Sequence, residues 1–390
     1  MKEFRKPWFV MLGYLFLVKP GIVSSIPELW MIDKAYDICR IVVVALSIIA
    51  IVAKPIKLKS ALFKVLLLIV IGEVWKIFAS VLFGEGYVDF STLRNTVGMV
   101  LFTYTCLEYS PHSFLKGASR ILGIYVLINA ASVFLFPEGM YTTDTYSDNY
   151  FLSYRTAWFP IYLLAAITVL LNAELNPSRK NRYWCYWVIC AIFISVFWVW
   201  TATGIFCFSL AALLYWFCQK CRKGKPIKAR WILLAEAVAF LMLVVLRLQE
   251  NLSFILVVIL QKDITMNSRL RIWDNAMRSI SNNLITGVGN LDNESMQTVL
   301  DYGVSHAHNY YLDTTLRYGI IGLVVLFLPM GYTLCRKYNN PRIGLICLCG
   351  IFALLTAYQA ECFSVIEYYI LPIFLILCSV SNMPKRSPLT

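Results

Sequence analysis

Residues 183–218 run for 36 positions without one charged side chain, between two strongly basic flanks. As a single helix this stretch would be about 54 Å long, whereas the hydrocarbon core of a bilayer is only about 30 Å thick. Lysine and arginine at both ends assign both ends to the cytoplasmic side. The stretch is therefore expected to form a hairpin of two membrane spans, turning outside at Thr201-Ala202-Thr203-Gly204.

Apolar runs elsewhere predict further spans at 8–18, 39–53, 61–83, 94–109, 118–136, 154–171, 231–248, 310–334, 343–359 and 362–380. Lys2, Arg5 and Lys6 precede the first run, and no small-x-small cleavage site follows it, so it is read as a span rather than a signal peptide. With the hairpin the total is about twelve. Only 15% of the 390 residues are charged, against about a quarter in a soluble domain. The alternating segments of a membrane β-barrel do not occur. The predicted fold class is an all-α polytopic membrane protein, a single integral-membrane domain over residues 1–390.

A net charge of +13 raises the question of nucleic acid, and its distribution answers it. The segments assigned to the cytoplasm hold 23 of the 35 lysines and arginines against two acids, Glu3 and Glu174. The remaining 12 basic residues face 20 acids. This asymmetry is the one that orients membrane helices; it excludes a nucleic-acid reading and puts both termini in the cytoplasm. The twelve cysteines lie mostly within apolar runs, and Cys218-x-x-Cys221 has no second pair to complete a zinc site.

One long loop is expected, residues 249–309, outside the membrane and just before the tenth span. Long structured loops in compact proteins usually carry function. Within it Ser253–Leu260 is apolar but too short to cross, and is expected to lie in the interface or line a lipid-tail groove. Leu270, Trp273, Ala276, Met277 and Ile280 follow at helical spacing, with Asn267 or Ser268 as N-cap. Arg269 and Trp273, four apart, share a face. Asn282-Asn283 and Gly287-Val288-Gly289 end that helix.

The loop closes on Ser305-His306-Ala307-His308-Asn309-Tyr310-Tyr311-Leu312, with two of the chain's three histidines. His308 is a candidate general base; the alternative is a structural histidine bonded to backbone at a helix start. His306 and His308 as a metal pair lack partners, since Asp301 and Asp313 are not at a convincing spacing, and no metal is predicted. Arg269, Arg271 and Arg278 lie in the same loop, Arg317 two turns into the next span, and Arg155 at the start of another. Positive charge here opposes the topology rule, and the arginine fork suits phosphate oxygens. The alternative for each arginine is anchoring to anionic head groups. Tyr141, Tyr146, Tyr150, Tyr310 and Tyr311 are candidates to stack on sugar rings, or else interfacial-belt residues.

The order Ser268-Arg269-x-x-x-Trp273, Gly287-x-Gly289, then His308-Asn309 with Gly319-x-x-Gly322-Leu323 resembles the O-antigen ligase and O-antigen polymerase superfamily. The specific similarity covers roughly residues 265–325. The resemblance implies joining of oligosaccharides carried on undecaprenyl diphosphate, at the outer face of the bacterial inner membrane. It implies Arg269 on the diphosphate and His308 on the acceptor hydroxyl, without metal. His306, Asn309, Tyr310, Arg317, Arg271, Arg278 and Arg155, from their place on the same outer side, are the candidate substrate-binding residues, and no cofactor is predicted. Its partners are lipid-linked donor and acceptor, the bilayer, and a candidate chain-length regulator protein. Many relatives carry an arginine in the outer hairpin turn where this chain has Thr201-Ala202-Thr203-Gly204, and Arg155 or Arg271 are the candidate substitutes.

The expected activity is polymerisation of repeat units of O-antigen or capsule. A ligase acting on a lipid A core is the alternative within the family. A transporter or flippase is the alternative outside it, and would favour ionisable residues along mid-membrane helices and internal repeats. Here Glu73 and Lys76, one turn apart, are the main charged pair within a span, and no repeat is evident.

Overall fold

The computed structural model describes residues 2–53, 57–143, 146–247, 269–300, 303–381 and 383. The predicted groove segment Ser253–Leu260, the Asn267 or Ser268 cap and Asp301 lie outside the described residues. In chain order the α-helices are α1 (Pro7–Leu17), α2 (Gly21–Ser25), α3 (Trp30–Val52), α4 (Ala61–Phe83), α5 (Phe90–Tyr109), α6 (Pro111–Leu135) and α7 (Phe159–Leu175). There follow α8 (Arg179–Trp198), α9 (Ala202–Cys221), α10 (Ala229–Phe240), α11 (Arg269–Asn282), α12 (Asn293–Leu300), α13 (Tyr310–Leu334), α14 (Pro341–Tyr358) and α15 (Leu371–Val380).

Seven helical segments among the described residues are long and apolar enough to cross a membrane, and Phe159–Leu175 and Ser364–Val380 are apolar but shorter. The chain is an all-α polytopic membrane protein. The other predicted spans, α5, α8 and α10, are helical but less uniformly apolar: α8 opens on Arg179, Lys180 and Arg182, and α10 gives way to a π-helical turn, Leu241–Val245. Local chemistry sets many of the starts. Ser60, Asp89, Ser110, Ser178, Asn309 and Asn340 each cap a helix by accepting a backbone N–H, and Pro111 and Pro341 follow at the first helical position.

The predicted hairpin is present, but it turns earlier than expected. Trp200 adopts a left-handed φ of 53° and Thr201 N–H returns to the Val196 carbonyl at 3.0 Å, so Ala202–Gly204 already belong to α9. The N-terminus of α3 also lies earlier than expected, at Trp30, and Asp33 and Asp37 of that helix receive Lys19 at 2.7 and 3.6 Å.

Two sets of loops gather at opposite ends of the bundle. At one end Gly21 donates to Leu152 (2.6 Å), Asn290 to Ser80 (3.2 Å), Thr203 to Glu361 (2.9 Å) and Asn309 to Gln359 (2.9 Å). At the other, His112 meets Asn176 (3.1 Å), Arg120 donates to Asn181 (3.2 Å) and Asn340 to Glu174 (3.1 Å). The basic loops belong to the second end and the histidine pair to the first.

One helix departs from expectation in a way that shapes the site. The stretch 310–334 is expected as one regular span, yet Gly319 sits at φ 66° and ψ −172° and breaks α13. The freed backbone groups are taken up by the Gly-x-Gly segment. Val288 and Gly289 donate to Leu316 (2.9 Å) and Arg317 (2.8 Å), and Ile320 donates to Leu284 (2.8 Å). Trp75 Nε1 satisfies the Tyr318 carbonyl at 3.0 Å. A Cβ on Gly319 would lie 2.1 Å from the Ile285 carbonyl oxygen, and one on Gly287 would lie 2.4 Å from Arg317 backbone atoms. Irregular backbone at membrane depth persists only where protein satisfies it, and here every donor named above has a partner.

Candidate active site

The site grows from α11. Its buried face, Ile272, Trp273 and Ala276, packs with Met296, Leu300, Ala307, Leu312 and Leu316 into a small core separate from that of the main bundle. Trp273 Nε1 donates to the Ala307 carbonyl at 2.9 Å, which ties α11 to the residue between the two histidines. Arg269, one turn earlier on the same face, reaches the segment after α14. It donates through Nη1 to the Ala360 carbonyl, and Nη2 lies 3.6 Å from Glu361 Oε1. The four-residue spacing of arginine and tryptophan thus sets two walls of one site.

Asp313 holds the histidine loop from below. It accepts from the Ala307 N–H (3.1 Å), the Arg317 Nε (2.9 Å) and the Cys362 thiol (3.2 Å), and its side chain is 2% exposed. Arg317 spends its remaining donors on Asn290 Oδ1 (2.6 Å) and the Ser305 carbonyl (2.5 Å). A buried carboxylate and guanidinium therefore clamp the loop, the broken helix and the Gly-x-Gly segment together. Asn309 is fully committed as well. Its Oδ1 caps α13 by accepting from Leu312 N–H (3.1 Å), and its Nδ2 donates to the Gln359 carbonyl.

Between these anchors the rings of His306 and His308 sit 4.2 Å apart, tilted by 55°. His308 takes a left-handed φ of 49°, a conformation that costs a side-chain-bearing residue energy and recurs at functional sites. Its Nδ1 is buried and makes no hydrogen bond among the described residues. Burial, reinforced by His306 and Arg269 and opposed by Asp313, pushes His308 down to about 3. Burial also lowers His306; Asp313 and Glu361 pull it back, while Arg317 and Arg269 add to the lowering. Both rings are therefore neutral around pH 7.

Of the predicted site residues, the structure brings together Arg269, His306, His308, Asn309 and Arg317. It does not bring in the others. Arg271 and Arg278 are exposed on the face of α11 opposite Arg269 and Trp273. Tyr310 lies in the bundle core, stacked on Tyr358 at 4.1 Å. Arg155 lies in the loop between α6 and α7, just ahead of the helix it is expected to open, paired with Asp148 at 3.1 Å.

Two contributors, Asp313 as a clamp and Glu361, escape the sequence reading. Asp313 is weighed there only as a metal ligand. Glu361 is an acid in the short break between the apolar runs 343–359 and 362–380, which is the signal that could have exposed it. Thr203, expected in the hairpin turn and found in the first turn of α9, donates to Glu361 Oε1 at 2.9 Å, so the start of α9 reaches the acid that faces Arg269. Among the described residues no group of three or more His, Cys, Asp or Glu side chains is placed to hold a metal ion.

No curated protein matches the chain. Residues 189–327 match the family model described as O-antigen ligase. The span includes the hairpin turn, Arg269, both histidines and the glycine break. On that match, residues 189–327 are similar to the O-antigen ligase family, as the order of motifs in the sequence leads one to expect.

Proposed function

We propose that this protein is a membrane glycosyltransferase that polymerises undecaprenyl-diphosphate-linked repeat units into an O-antigen or capsular polysaccharide at the outer face of the bacterial inner membrane. The observation that carries the reading is His308: a neutral ring on left-handed backbone, with a buried Nδ1 unpartnered among the described residues, in the same cluster as Arg269.

The reaction needs two things from the protein. The hydroxyl of the acceptor sugar must be positioned and deprotonated, and the departing diphosphate must be stabilised. The acceptor oxygen forms the new bond to the anomeric carbon of the donor while its proton passes to His308. The bond from that carbon to the diphosphate breaks, and its electron pair leaves on the diphosphate, whose growing charge Arg269 meets. No nucleotide is required, because exchanging the anomeric carbon–diphosphate bond for a glycosidic bond is itself downhill.

A histidine at about 3 is a weak base in the free protein. The donor corrects this. A diphosphate on Arg269 neutralises one of the charges that hold His308 down and adds negative charge beside it, so the ring's basicity rises when the substrate is in place. Glu361 occupies Arg269 until then, at a distance that an incoming phosphate oxygen displaces. Arg317 and Asn309 act through the loop rather than on the substrate. Arg271 and Arg278 are assigned to anionic head groups beside the bound donor.

Purified protein in nanodiscs, given short lipid-linked repeat units, is expected to yield a ladder of longer lipid-linked chains. Transfer only to an added lipid A core would replace polymerase by ligase. Absence of any new glycosidic bond, with vesicles showing saccharide translocation, would replace the reaction by transport.

A further inference from the structure

Residues 136–143 and 146–158, between α6 and α7, fold into a strapped cap. Leu152 and Phe151 N–H groups donate to Asn129 (2.8 Å) and Ser132 (3.1 Å) of α6, and Gly21 N–H donates to Leu152 O (2.6 Å). Tyr150 and Trp158 are buried and stacked at 5.4 Å, with the Tyr150 hydroxyl on the Pro137 carbonyl. These are structural aromatics. Tyr146 and Tyr154 are not buried with them.

Their rings stack face to face at 3.9 Å and 18°, and Tyr146 is 42% exposed. Arg155 lies over the Tyr154 ring at 5.8 Å and pairs with Asp148. The backbone fixes the arrangement: Asn149 Nδ2 donates to the Tyr146 carbonyl (2.7 Å), and Tyr146 N–H to Thr143 Oγ1 (3.2 Å). The pair lies at the same end of the bundle as Glu361, whose carboxylate, after burial and Tyr154, helps raise the Tyr146 phenol.

We infer that Tyr146, backed by Tyr154 and flanked by Asp148 and Arg155, is a carbohydrate-binding ledge that seats a sugar ring of the lipid-linked saccharide at the end of the bundle that holds the Arg269–His308 centre. The inference rests on the glycosyl-transfer reading. One face of a pyranose is a patch of C–H groups, which the electron-rich face of an aromatic ring attracts. Hydroxyls round the sugar's rim need donors and acceptors, and a partly exposed carboxylate and guanidinium offer both kinds. A belt tyrosine needs neither a parallel partner nor a charged pair at its edge. Tyr146 is thus a positioning residue for the saccharide, remote from the bond made or broken.

The test uses full-length protein in nanodiscs and two probes: the lipid-linked repeat unit extracted from the host, and the free oligosaccharide released from it. Tyr146→Ala is expected to weaken oligosaccharide binding and raise KM by roughly threefold to tenfold, leave kcat within about twofold, and keep the wild-type melting temperature. Tyr146→Leu, which keeps bulk but loses the ring, should behave like alanine and serves if alanine misfolds. Tyr146→Phe should restore binding, because the ring face and not the hydroxyl makes the contact. Unchanged binding and KM in a folded Ala or Leu variant would overturn the ledge, as would a Phe variant as weak as Ala. If wild-type protein binds the oligosaccharide through Tyr146 but forms no bond, the reaction fails and the ledge stands. Normal turnover with binding indifferent to residue 146 removes the ledge and leaves the reaction standing.

Discussion

Thr203 and Glu361, 158 positions apart, are joined by a 2.9 Å hydrogen bond, and Glu361 in turn lies 3.6 Å from Arg269. The start of α9 and the α14 exit therefore meet on the guanidinium that is assigned to the diphosphate. An arginine at 203 would find the Glu361 carboxylate within reach and add a second cation. Thr203→Arg is accordingly expected to retain activity, with donor KM equal to or below that of wild type. A folded but inactive Thr203→Arg protein would show that the turn does not face the donor.

Arg269→Ala is expected to abolish polymer at equal protein level, a loss of at least about 10²-fold for one removed charge-stabilising donor. Arg269→Lys should rescue poorly, since a point charge cannot reproduce the fork that now spans Ala360 and Glu361. Turnover assays on the purified variants decide it, and a fully active alanine variant would remove Arg269 from the reaction.

For His308→Ala, turnover should fall by about 10²–10⁴-fold with donor binding and melting temperature preserved. If instead the melting temperature collapses and surviving protein keeps its rate, the ring is structural. His306→Ala should be milder.

Because His308 is lowered to about 3 in the free protein, kcat/KM is expected to show no histidine break between about pH 5 and 8, where an ordinary ring near 6.5 would give one. The acid limb of kcat, which reports the donor complex, should lie at higher pH than that of kcat/KM. Stability follows the same shift. Below about 6.5 the unfolded chain takes up a proton that the folded ring refuses, so this contribution is complete above that value and declines as pH falls towards 3. A kcat/KM profile with a break near 6.5 would contradict the neutral, buried ring.

Gly319→Ala is expected to lower the melting temperature and the yield of folded protein, since the new Cβ would lie 2.1 Å from a backbone oxygen at a left-handed φ. The backbone strain alone is about 1–3 kcal/mol. Wild-type thermal stability in that variant would mean that α13 can run unbroken.

Much of the bundle was legible because membrane spans are written in composition: apolar runs, basic loops and capping serines mark helices within a few residues. The Arg269–Trp273 face was equally legible, since helical spacing alone puts both on one side. The break at Gly319 was not. A glycine within an apolar run reads as a packing surface, and only the docking of Leu284–Gly289 turns it into a joint. The link from Thr203 to Glu361 was hidden for a different reason: the two residues are 158 positions apart in the chain and meet only in the folded bundle. Tyr310 misled because a tyrosine beside a polar motif reads as exposed, whereas the first turn of α13 already points it at Tyr358.

The interruption at Gly319 also makes the last apolar stretch of α13 dependent on its neighbours. Below it, Ile320–Leu334 rises about 22 Å, short of the roughly 30 Å that hydrocarbon demands. Bare peptide groups in lipid cost several kcal/mol each, so the bend is stable only where protein bonds the opened groups. Leu284–Gly289 supplies those bonds. The Asp313–Arg317 clamp holds the histidine loop directly, through the Ala307 N–H and the Ser305 carbonyl, and reaches Asn290 beside the docked segment, so one short stretch of α13 carries both the backbone joint and the histidine loop.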